Sequence, residues 1–250
     1  MAYYNEKYEQ QYGDVKQTIN TNAVYAYEEA KRTSVAKVYG EMTVGLIVTA
    51  LVAMFSQSTG AFEQFLIATG KLGWIGIVLV QVALSAFLGI RIMKMNVVLA
   101  RIIFYAYAAI TGFTISIIFD IFKIKSIVIV FALTAGFFLC LTMLALTTKI
   151  NMLKAGPIIF AGLITLVIAQ FILMFLTPSN NAIKIISAIG ILVFAGLTAY
   201  DAQKTRALFE EYDQQPEVIK RISILCALQL YLDFINMFVY LLQLIGDRKD

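Results

Sequence analysis

The chain contains no histidine, and only two cysteines, three prolines and one tryptophan among its 250 residues. Without an imidazole, any acid–base, pH-sensing or metal-binding work falls to carboxylates. Cys140 and Cys226 stand alone in apolar stretches, which makes them small buried side chains rather than a disulfide framework or a metal cluster. Pro157, Pro178 and Pro216 fall at the edges of apolar runs or between them, so the runs can form unbroken helices. Charge is scarce as well. Charged residues make up 14% of the chain, against roughly 25% in a soluble domain. The net charge is only +4, and no basic stripe with interleaved aromatics is present, which argues against nucleic acid as a partner.

What the chain has instead is apolar length. Hydrophobic residues make up 60% of the sequence and the mean hydropathy is +0.79. This is the composition of an all-α polytopic membrane protein whose first partner is the lipid bilayer. Seven apolar segments are expected near 41–57, 73–90, 97–119, 126–147, 155–176, 182–203 and 222–246. Residues 37–250 then form a seven-helix transmembrane domain, and residues 1–36 a polar cytoplasmic tail with some helix near its end. The tail has no apolar run behind its charges and does not read as a cleavable signal peptide. Trp74 fits an interfacial anchor. Gly112, Gly136, Gly162, Gly190 and Gly196 suit close helix packing in lipid. Lysines and arginines are concentrated on the flanks that share a side with the N-terminus, among them Lys37, Arg91, Lys94, Arg101, Lys149, Lys154, Lys204, Arg206, Lys220 and Arg221. The opposite connections hold fewer, so the N-terminus is expected in the cytoplasm of a multi-pass plasma-membrane protein. Arg248 and Lys249 run against this rule, which leaves open a re-entrant last segment.

Of sixteen acidic residues, few enter the apolar segments. An acid near the bilayer centre costs about 2.5–3.5 kcal/mol on insertion scales, so each one present asks for a compensating role. Glu41 lies at a span edge. Asp233 sits in a row formed by Gln229, Asp233, Asn236, Tyr240 and Gln243, whose spacing puts all five on one helical face. Hydrocarbon offers no hydrogen-bond partners, so this face must meet protein or water and the last helix should be central. Amides alone could serve as glue between helices; an acid among them favours an ion or proton pathway. Asp201 lies near the end of the sixth segment, before Lys204 and Arg206, where it could also be an ordinary boundary acid with a basic partner. Two carboxylates brought together cannot both ionise cheaply and would titrate as a unit. Deprotonated, they would attract a divalent cation such as Ca²⁺ or an arginine latch, for which Arg91 is the candidate; protonation weakens both. No other cofactor is implied.

The segments LYLDFINMFVYLLQLIGDR (230–248), AYDAQ (199–203) and FALTAGFFLCLTMLALTTK (131–149) resemble the transmembrane Bax inhibitor motif family. KVYGEMTVGLIVTALVA (37–53) and YAYAAITGFTISIIF (105–119) fit the same pattern in order. The resemblance implies seven helices with the last wrapped by the other six, and a pH-sensitive calcium leak governed by an aspartate pair that matches Asp201 and Asp233. It also implies an arginine latch in the second helix, carried to Arg91, and a bacterial type of member. Gln229, Asn236 and Glu41 would complete a polar pathway, with calcium ions and protons as the traffic. A second reading is a regulator with no transport of its own that binds another membrane protein, such as a quality-control protease, through residues 1–36 or 204–221. A third is an intramembrane aspartyl protease. AYD resembles half of that signature, but Asp233 follows no Gly-x-Gly turn and no Pro-Ala-Leu element is present, so no catalytic residue is assigned.

Overall fold

A computed structural model describes residues 35–173, 175, 176 and 179–249. The expectations for residues 1–34 and Pro178 lie outside the described residues. Among those described, seven helices are long and apolar enough to cross a membrane. In chain order they are α1 (Val35–Thr59), α2 (Ala61–Arg91), α3 (Val97–Ile115) with its single-turn continuation α4 (Ile118–Ile121), α5 (Ile124–Thr147), α6 (Gly156–Leu173), α7 (Asn180–Glu211) and α8 (Pro216–Ile245). Short 3₁₀ turns at Ile92–Lys94 and Met152–Ala155 carry the chain from α2 towards α3 and into α6. Asn96, Asn151 and Ser179 accept backbone N–H bonds at the helix starts that follow them, which satisfies donors that helix geometry leaves free.

Burial ranks the helices. Two thirds (67%) of the apolar window of α8 is buried, against 11% for α2 and for the α6 span. The last helix is therefore central, as its continuous polar face requires. It packs on α7 most extensively and also meets α2, α3 and α5. It reaches α1 through a 2.6 Å hydrogen bond between the Thr49 and Tyr231 hydroxyls, and α6 through Gln170, which donates to Tyr240. The outer faces are strongly apolar, with Ile67, Leu72, Ile90, Ile158 and Leu192 among the most exposed side chains. A surface of that kind is stable only against lipid.

Two boundaries differ from the sequence expectation. The second helix begins at Ala61 rather than near residue 73, because Gly60 (φ 64°) turns the chain and Gly70 (φ 58°) supplies a left-handed break inside one long element. Only glycine adopts that backbone at little cost, so the polar stretch around Glu63 and Gln64 is helical, not a connection. Trp74 then lies beyond the break, inside α2 and not at its start. The stretch 204–221, expected as a solvated connector, is mostly helix. At 32 and 30 residues, α7 and α8 are about 45–48 Å long at 1.5 Å per residue. That exceeds the ~30 Å hydrocarbon core, so both outlast the bilayer and only a four-residue turn joins them. Pro216 occupies the first turn of α8, where its missing N–H costs nothing.

Candidate functional site

The antiparallel pair α7 and α8 sets the position of the two aspartates. Gly190 lets the helices close, since a Cβ there would lie 2.7 Å from the Tyr240 ring. One turn further along α7, Phe194 stacks on Tyr240 with ring centroids 5.9 Å apart. Ser187 donates to Gln243 at 2.9 Å. From the Phe194–Tyr240 contact, seven residues along each helix, about two turns, lead to Asp201 and Asp233. The two carboxylates accordingly lie within reach of each other's charge. Both are buried, with relative exposures of 6% and 3%. Oδ1 of Asp201 and Oδ2 of Asp233 have no hydrogen-bond partner among the described residues. Buried acceptors are almost always paired, so leaving these two oxygens without a donor is costly.

Several neighbours were not visible as site residues in the sequence. The Lys204 charge acts on both aspartates, while its ammonium group lies 5.7 Å from the centre of the Tyr200 ring. Tyr39 from α1 comes within electrostatic reach of Asp233 and sits beside Thr142 of α5, whose buried Oγ1 also lacks a partner of standard geometry. Cys226, about two helical turns from Asp233, sits against Thr205 near Asp201. Thr205 Oγ1 donates to the Asp201 carbonyl at 2.8 Å. Next to Asp201 in sequence, Gln203 fastens α7 to the α5–α6 connection. Its Nε2 donates to the carbonyls of Ala145 and Ile150 at 2.8 and 2.9 Å, and its Oε1 accepts from the Met152 N–H at 2.8 Å. The signal for Gln203 was its place in AYDAQ and for Lys204 its place three residues after Asp201; for Tyr39 it was only proximity in three dimensions.

The remaining expected residues separate from this pair. Arg91 ends α2 as an exposed residue and makes no hydrogen bond or ion pair with a described residue. The cation whose charge reaches both aspartates among the described residues is Lys204. Glu41 is engaged elsewhere, bonded to Arg101 at 2.5 Å and to the Tyr105 hydroxyl at 2.5 Å, so it ties α1 to α3. Gln229 is half-buried without a hydrogen bond among the described residues. Asn236 donates to the Leu232 carbonyl at 2.8 Å and, with Tyr240, Gln243 and Gln170, lines a cleft of about 710 Å³ between α2, α6, α7 and α8. This cleft begins one turn from Asp233, on the side away from Lys204.

No third His, Cys, Asp or Glu joins the two aspartates among the described residues. Ca²⁺ takes roughly 6–8 oxygen ligands, which the two carboxylates cannot supply alone. The donor set fits a partly hydrated ion in passage better than a resident one.

A multi-pass helical membrane protein with an acid pair shielded at the contact of its last two helices is the class these features define. The particular family follows from comparison. The family model described as "Inhibitor of apoptosis-promoting Bax1" matches residues 31–250, and the chain belongs to this Bax inhibitor family. It is 38% identical over 219 residues to the inner membrane protein YbhL of Escherichia coli, covering 87% of this chain and 93% of that one. It is 32% identical over 238 residues to the uncharacterized protein RP147 of Rickettsia prowazekii, covering 95% and 99%. The Lactococcus lactis protein YrjE is 33% identical over 216 residues, covering 84% and 89%.

Proposed function

We propose that this protein is a pH-sensitive, calcium-permeable leak pathway of the plasma membrane, with its N-terminus in the cytoplasm and Asp201 and Asp233 as the proton-sensing, cation-attracting pair. One observation carries the reading: two acids buried inside the bundle within reach of each other's charge, each with an oxygen that no donor among the described residues satisfies. Ionised, the pair concentrates cations where the dielectric is low and Coulomb attraction is strong. Protonated, it is neutral and attracts none. The polar row from Asp233 through Asn236 and Tyr240 to Gln243 continues into the cleft, and Lys204 at the other side competes with an arriving cation for the same charge. The relative from E. coli, an inner membrane protein by name, supports the plasma membrane as the location.

Flux of Ca²⁺ into proteoliposomes loaded with a calcium dye, recorded against pH, tests this. The wild type should show flux that changes with pH, and Asp233→Asn should flatten the profile. Wild-type-like pH dependence in that variant rejects the pair as the sensor. Absence of flux from the wild type, together with reproducible capture of one membrane protein, favours the regulator that transports nothing itself.

A further inference from the structure

Arg248 is a cation at the end of the bundle opposite the lysine- and arginine-rich end, and the leak pathway gives it no task. The chain goes to some length to hold it. After α8 ends, Asp247 and Lys249 pair with the backbone before α5: the Lys123 N–H donates to the Asp247 carbonyl at 3.0 Å and the Lys249 N–H to the Ile121 carbonyl at 2.9 Å. The Asp247 N–H donates to Ser126 Oγ at 2.8 Å, and its carboxylate binds Lys123 Nζ at 3.0 Å. Arg248 sits between these anchors in a bridge to Phe122, with its guanidinium over the Phe122 ring at 5.7 Å. Its polar contact is a 3.4 Å hydrogen bond to the neutral amide of Asn180. Among the described residues no carboxylate neutralises it, since Asp247 is taken by Lys123.

The guanidinium also lines a second cleft, of about 390 Å³, between α3, α4 and α8. Its walls are apolar, formed by Ile115, Ile118, Ile235, Val239 and Leu242, with Trp74 of α2 across from them. Thr114 and Gln243 add polar atoms, and no acidic residue lines it. The volume falls within the ~300–1,000 Å³ of small-molecule sites. An apolar cleft in a membrane helix bundle, with a backbone-anchored guanidinium that no carboxylate among the described residues neutralises, suits an acyl chain ending in a single negative charge. The fixed fork of donors suits a carboxylate, which it can hold through two parallel bonds.

The geometry points to a binding site for a long-chain fatty acid, with its carboxylate on Arg248 and its chain along α8 past Trp74. A free acid with one chain is favoured over a two-chain phospholipid because the volume, about 390 Å³, lies near the low end of the ~300–1,000 Å³ range of small-molecule sites. This cleft shares Trp74, Ile183, Val239 and Gln243 with the cleft beyond Asp233, but Arg248 lines only this one of the two, so substitution of Arg248 tests the site separately from the leak.

Trp74 is the sole tryptophan of the chain and lines the cleft, so the protein carries its own reporter. Intrinsic fluorescence of the purified full chain in a nonionic detergent is titrated with 9,10-dibromostearate, whose bromines quench on contact. Quenching should saturate, and unbrominated stearate should reverse it. Arg248→Gln should raise the half-saturating concentration roughly tenfold, as expected for loss of a charge-assisted hydrogen bond, and Arg248→Lys should lie between. The methyl ester should quench weakly and equally in all three proteins. Equal quenching by acid and ester, or quenching unchanged by Arg248→Gln, would show simple partition into the micelle and overturn the site. Saturable quenching by dibrominated phosphatidylglycerol but not by the acid would overturn the assignment to a fatty acid.

Discussion

At the scale of single residues, the carboxylates of Asp201 and Asp233 share a buried space with the charge of one lysine, and that combination sets expectations for each. A cation beside two acids lowers their attraction for a second cation, because the field it contributes has the opposite sign. Lys204→Gln should therefore increase calcium flux several-fold at a pH where the pair is ionised, and should do so less at low pH, where protons have already neutralised it. Flux recorded at two pH values in the variant and the wild type checks this; equal flux at both would remove Lys204 from the pathway. Arg91→Gln should leave flux within error of the wild type, since Arg91 is exposed and makes no hydrogen bond or ion pair with a described residue.

At the scale of elements, the register of α7 on α8 is what turns two isolated acids into a pair, and Gln203 is what holds the near end of α7 to its surroundings. Three hydrogen bonds from one side chain satisfy two carbonyls and an N–H of the α5–α6 connection. Gln203→Leu, which keeps the volume but none of the bonds, should cost about 1–3 kcal/mol for the polar groups left behind, read as a lower thermal midpoint in detergent. An unchanged midpoint would mean that water replaces the amide without penalty. The elements themselves were largely legible in the sequence, because a lipid-crossing helix announces itself through hydropathy and each of the seven segments contains one. The centrality of α8 was legible too, from the spacing of Gln229, Asp233, Asn236, Tyr240 and Gln243. What escaped was set by single backbone positions and by contacts distant in sequence. A left-handed Gly70 keeps a polar stretch helical, Arg91 looks well placed on a helical wheel yet ends its helix exposed, and Glu41 finds its partners on α3. Lys204 could be seen beside Asp201 in the sequence, but its reach to Asp233 depends on the α7–α8 register.

For the whole molecule, orientation decides what the pair senses. The turn joining α7 and α8 lies at the same end of the bundle as the start of α1 and the α5–α6 connection, and Lys94, Lys149, Lys154, Lys204, Arg206, Lys220 and Arg221 cluster at that end. Lys204 flanks the acid pair from this side, while the cleft lined by Asn236, Tyr240 and Gln243 runs the other way. The positive-inside rule predicts that the cationic end faces the cytoplasm. It leaves Lys184, Arg248 and Lys249 on the far side, where Arg248 is held by its own anchors rather than by topology. With Cys140 and Cys226 both replaced by alanine, single cysteines report this directly. In right-side-out membrane vesicles, an impermeant maleimide should label Lys184→Cys at once and Lys220→Cys only after the membrane is opened. The reverse pattern would place the Lys204 side of the pair outside the cell, and the pH that matters to the two aspartates would then be that of the medium reaching them through the α7–α8 end.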